Sequence, residues 1–104
     1  MSRGFALIQN LIPYSTAWRT QDNGDFLIVS NEKHEIFYLN ETSALFYTLC
    51  NGCRSIDEVK MYMLDEYDVP VAQLEQDIVS LVRDFQWQGI IHLKERRIRS
   101  EEKI

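Results

Sequence analysis

Residues 37–59 constrain this chain more than any other stretch. They run Phe37-Tyr-Leu-Asn40, then Glu41 to Cys50, then Asn51-Gly52, then Cys53-Arg54-Ser55 and Ile56 to Val59. Asn40 follows the apolar Phe37 and Leu39, and its side-chain oxygen is suited to cap a helix starting at Glu41. Gly52 suits the left-handed backbone that ends such a helix. Ser55 and Glu58 form the S-x-x-E pattern of a capping box, so a second helix starts at once. A strand end, two caps and so short a turn require two helices that fold back on each other.

The elements on either side follow from similar signals. Ala17 to Thr20 reads as a first strand, and Asn23-Gly24 as a hairpin turn. Phe26 to Ser30 reads as a second strand and Asn31 to His34 as a second turn. Glu35 to Leu39 reads as a third strand, with Phe37 and Leu39 on one face and Ile36 and Tyr38 on the other. The first helix spans about Glu41 to Cys50. The second spans about Ser55 to Tyr67, with Ile56, Val59 and Met63 as its inner stripe. Asp68-Val-Pro70 opens a third helix. Its Val71, Leu74, Ile78, Leu81 and Phe85 recur at spacings of three and four, and Val79 and Val82 widen the apolar face. Gly89 stops it, and Ile90, Ile91 and Leu93 suit a short final strand. Pro13 is expected to break any regular element near the N-terminus, so residues 5–12 read either as an extended arm or as a short packed helix. The predicted class is α+β and winged-helix-like: a three-stranded antiparallel sheet followed by three helices. The expected organisation is an N-terminal arm (1–15), one domain (16–93) and a charged, disordered tail (94–104).

Charge and motifs exclude most chemistries. The net charge is −5, and residues 1–93 carry thirteen acidic side chains against six basic ones. The third helix has Glu75, Asp77 and Asp84 against Arg83 alone, which disfavours a phosphate backbone. Nucleic-acid binding through a winged helix is the alternative reading. Cys50-Asn-Gly-Cys53 is a C-x-x-C, but Cys50 falls at a helix C-terminus, where the dipole favours the thiol over the thiolate. Zinc would need two more ligands, and only His34 and His92 remain. No metal, cofactor or catalytic set is expected, so the chain is not read as an enzyme. No apolar run approaches a membrane span, and no signal-peptide layout opens the chain; a cytoplasmic protein is expected.

The Leu39-Asn40 pair with Ala44, the Gly52 turn into Arg54-Ser55-Ile56, Glu58 and Val59, Tyr67, Asp77 and Gly89-Ile90-Ile91 together resemble the PqqD family. These are small peptide chaperones, or RiPP recognition elements, of natural product biosynthesis. The resemblance covers roughly residues 12–93. It implies a protein that binds the leader segment of a ribosomally made precursor peptide. It further implies presentation of that peptide to a tailoring enzyme for post-translational modification, often a radical-SAM protein. In the family the leader adds as a strand beside the third strand, against the third helix. Transferred to this sequence, the edge is Glu35, Ile36, Phe37, Tyr38 and Leu39, and the opposing wall is Val79, Val82, Arg83 and Gln86. Each has a structural alternative: Val79 and Val82 as core, Ile36 and Tyr38 as sheet cover, Arg83 as a solvated charge.

Overall fold

A computed structural model describes residues 3–95. The elements run α1 (Arg3–Ile8), β1 (Ile12–Ser15), β2 (Arg19–Asp22), β3 (Leu27–Ser30), β4 (Ile36–Leu39), α2 (Glu41–Leu49), α3 (Ile56–Glu66), α4 (Val71–Trp87) and β5 (Ile91–Lys94). The fold is α+β. Its main sheet is antiparallel with order β2-β3-β4, and β1 and β5 form a separate two-stranded ribbon. The three predicted strands are therefore β2, β3 and β4, and the three predicted helices are α2, α3 and α4. Of the predicted charged tail, residues 96–104 lie outside the described residues.

The local signals act as the sequence suggests. Asn40 Oδ1 accepts from the Ser43 amide at 2.9 Å. Ser55 and Glu58 exchange both hydrogen bonds of a capping box. Gly52 has φ 82° and lies past the end of α2, where the Arg54 guanidinium donates to the Leu49 carbonyl. The first hairpin closes at Asn23 and Phe26, leaving Gly24-Asp25 as the loop, with Gly24 at φ 98°. The second closes at Asn31 and Glu35 over three residues, the last of which, His34, has φ 67°. A three-residue loop ending in a left-handed residue is a common hairpin solution.

The N-terminal region differs from expectation at Pro13. This residue lies within β1, opposite Leu93. A two-stranded ribbon tolerates a residue with no N–H to give, and the Pro13 carbonyl accepts from the Gly52 amide at 2.9 Å. Residues 3–8 take the helical alternative, and Phe5 of α1 is fully buried. The Gln9 and Leu11 carbonyls accept from Asp57 and Ile56, the first amides of α3. These are among the helix-end donors that have no partner within the helix.

The core joins these pieces. Phe5, Val29, Phe46, Ile56, Val59, Met63, Ile78, Ile90 and Ile91 are all fully buried. A buried ion pair crosses it: Lys60 Nζ lies 3.1 Å from Glu75 Oε2, 3.2 Å from Asp57 and 4.8 Å from the Phe5 ring centroid. Burial alone would lower the Lys60 pKa, but hydrogen bonds and charge from Glu75 and Asp57 outweigh it and raise the pKa.

Candidate functional site: an open sheet edge beside the last helix

Among the described residues β4 pairs only with β3, so it is an edge strand with one row of backbone groups unpaired there. The register shows which groups these are. Asn31 donates to the Glu35 carbonyl, and the pairing continues as Ser30↔Ile36, Val29↔Phe37, Ile28↔Tyr38 and Leu27↔Leu39. In an antiparallel ladder, opposite pairs alternate between exchanging two hydrogen bonds and exchanging none. Phe37 and Leu39 therefore bond to β3, while the N–H and C=O groups of Ile36 and Tyr38 face the open edge. The side chains alternate too. Leu39 is buried and Phe37 half-buried, whereas Ile36 and Tyr38 stand on the outer face, 56% and 64% exposed. Phe26 extends this face, with its ring 6.1 Å from that of Tyr38.

The final turns of α4 reach the two ends of this strand and run in the opposite direction. At one end, Asn31 ties the β3–β4 turn to α4 by donating to the Gln88 carbonyl at 2.7 Å. At the other, a cavity of about 270 Å³ is lined by Asn40, Thr42 and Ser43 on one side and Asp77, Ser80, Leu81 and Asp84 on the other. At 3.6 residues per turn, Leu81, Asp84 and Gln88 share one flank of α4. Ile78, Val82 and Phe85 point inward and are buried.

The predicted wall residues fall on another flank. Val79, Val82, Arg83 and Gln86 line a single groove of about 610 Å³ together with Asp84, closed by Ile8 of α1 and by Trp87. No β4 residue lines that groove. Glu35 and Leu39 instead line cavities at the two ends of β4. The structure thus gathers the predicted strand residues at one edge and the predicted helix residues in one groove, but not the two sets together. Leu81, Asp84 and Gln88, which reach the two ends of β4, are not singled out by sequence reasoning. Leu81 belonged to the apolar period, and nothing local marks which flank of a helix faces a given strand.

Other chemistry is sparse. Among the described residues, no group of three or more His, Cys, Asp and Glu side chains is placed to hold a metal. Both cysteines are free. Cys50 is buried, its thiol donates to the Phe46 carbonyl, and burial pushes its pKa up to about 12. That is the opposite of an activated redox thiol. Burial likewise raises the pKa of Tyr47, whose hydroxyl pairs with Ser15. No described helix is long and apolar enough to cross a membrane.

Fold and site together define a small α+β domain whose distinctive offering is a strand edge unpaired among the described residues, with a helix reaching both of its ends. The family model described as Coenzyme PQQ synthesis protein D (PqqD) matches residues 25–91, well over half of the chain. The chain belongs to the PqqD family, one of accessory rather than catalytic proteins in the synthesis of coenzyme PQQ and related modified peptides. No curated protein and no solved structure gives a match.

Proposed function

We propose that this protein is a peptide chaperone that binds the leader segment of a ribosomally made precursor by strand addition at β4. It then presents the precursor to a tailoring enzyme, with a radical-SAM protein as the favoured partner. The observation that carries the reading is the open β4 edge in a chain of this family. An added strand takes its affinity from main-chain hydrogen bonds, here at Ile36 and Tyr38, and its selectivity from side-chain surroundings. Those surroundings are Ile36, Tyr38 and Phe26 on the outer face and Leu81 and Asp84 on the helix. The acidic flank formed by Asp77 and Asp84 repels phosphate, which weighs against nucleic acid as the ligand. The reading implies no resident cofactor and no catalytic residue of its own.

The test is calorimetric titration of the full chain with peptides from short open reading frames beside its gene. Dissociation constants between nanomolar and micromolar are expected, about 8–12 kcal/mol. Absence of binding to every such peptide would refute the proposal.

A further inference from the structure

The outer face of the main sheet changes character from one edge to the other. The register sets its side chains in two rows across the three strands: Gln21, Ile28 and Tyr38 in one, Arg19, Ser30 and Ile36 in the other. Both rows are polar at β2 and apolar at β4. An open edge is ordinarily guarded by charge, a bulge or proline, and a solvated sheet face is ordinarily polar. β2 keeps to this. All four of its residues are exposed, and Arg19 and Asp22 are charged. Trp18 also donates to the Ser30 carbonyl, although Arg19 is the ladder partner of Ser30, so the strand bulges at its start. β4 does the opposite. Its Ile36 and Tyr38 stand exposed on a strand that holds no charged residue and no proline. Phe26 packs its ring edge-to-face against Tyr38, so the apolar surface is densest there. An apolar strip at an unguarded edge invites a further strand. In whichever direction such a strand runs, the residues directly opposite Ile36 and Tyr38 share their face and lie two apart, while the residue between them points to the other face.

We propose that the protein selects peptides carrying two apolar residues at alternating positions, one set against Tyr38 and one against Ile36, so that their side chains continue the two outer rows by one strand. The position against Tyr38 is the more demanding. An aromatic or β-branched side chain there joins Ile28, Tyr38 and Phe26, whereas Ile36 has Ser30 and Arg19 behind it. This rests on the strand-addition reading above and adds to it the residue pattern of the peptide.

The experiment uses display selection of random twelve-residue peptides on the full chain. Selected peptides are expected to share two apolar residues separated by one position. Each of the two is then replaced by alanine, singly and together, and all forms are titrated against wild type, Tyr38→Thr and Ile36→Thr. Threonine suits a strand while removing most of the apolar side chain, and circular dichroism checks that both variants fold. In wild type each alanine should weaken binding roughly two- to fivefold, and the pair together about tenfold. Tyr38→Thr should bring the ratio at one peptide position close to one, and Ile36→Thr the ratio at the other, two residues away. Amide exchange at Ile36 and Tyr38 in the same complexes reports strand addition separately. Peptides that protect these amides but lack an alternating apolar pair, or whose ratios neither variant changes, overturn the motif and leave strand addition intact. Binding without protection at β4, or no binding by any library peptide, overturns both.

Discussion

Adjacent prolines on β4 separate the binding edge from the ladder that holds it. Phe37→Pro removes an N–H that bonds to Val29, a residue with no exposed surface. The Val29 carbonyl then lacks a partner in a buried setting, at about 1–3 kcal/mol. Loss of the half-buried Phe37 ring adds about 1–2 kcal/mol. The sum, about 2–5 kcal/mol, is a large share of what a small domain has. Tyr38→Pro removes an N–H that faces the open edge, the one place where a strand accepts proline. The Tyr38 side chain is mostly exposed, and the loss of its ring contact with Phe26 costs about 1 kcal/mol. For the peptide the order reverses. Tyr38→Pro deletes one edge donor and leaves a peptide carbonyl unpaired, about 1.5–3 kcal/mol, or roughly ten- to a hundredfold in affinity. Urea unfolding and calorimetric titration on the two variants read both quantities. A Tyr38→Pro protein that folds and still binds peptide with wild-type affinity would refute strand addition at β4. Equal destabilisation by both prolines would refute the register-based assignment of the edge.

Other expectations concern the scaffold. Lys60→Met leaves Glu75, 2% exposed, without the charge of Lys60 and should cost about 3–5 kcal/mol in urea unfolding; pairing it with Glu75→Leu should recover most of the loss. Because the folded Lys60 pKa is raised, its stabilising contribution is full below the ordinary lysine value near 10.4. It is lost only as pH rises through the higher folded value, so wild type should lose stability relative to the double variant only in strong alkali. In the native protein at about pH 8, a disulfide thiol reagent should modify exposed Cys53 at once and Cys50 only on unfolding, as a folded pKa of about 12 requires. The same shift predicts that stability declines as pH rises from about 9 towards 12, because only the unfolded chain loses that proton. Asn40→Ala should lower stability by about 1 kcal/mol through loss of the α2 cap, with peptide affinity following only as far as the β4 end loosens.

The parts that sequence predicts well are those whose cause is local. Asn40, Ser55 with Glu58, and Asn23-Gly24 each act through a hydrogen bond or backbone angle within a few residues, and each performs as read. The alternation Ile36-Phe37-Tyr38-Leu39 gives the faces of β4 for the same reason. The β1–β5 ribbon was less legible, because its partners lie some eighty residues apart and Pro13 argues against a strand. The flank of α4 that reaches the ends of β4 was not legible either. Helical period shows which side is buried, but Val79 and Leu81 differ only in which neighbour the chain path brings to them. The Lys60–Glu75 pair did leave a trace: Ile56, Val59, Lys60 and Met63 share one helical face, which places a charge on an apolar stripe. Asn31 left none of its link to α4: three of its side-chain hydrogen bonds stay within its own turn, but the fourth reaches the helix end at Gln88, 57 residues on.

Residue-resolved amide hydrogen exchange, with and without a bound peptide, tests strand addition most directly. The account predicts new protection at Ile36 and Tyr38, whose amides face the open edge. It predicts little change at Phe37 and Leu39, already bonded to β3, and none at Thr20 and Asp22 on the opposite edge of the sheet. Protection centred on β2, or on the α1–α4 groove with β4 unchanged, would contradict it.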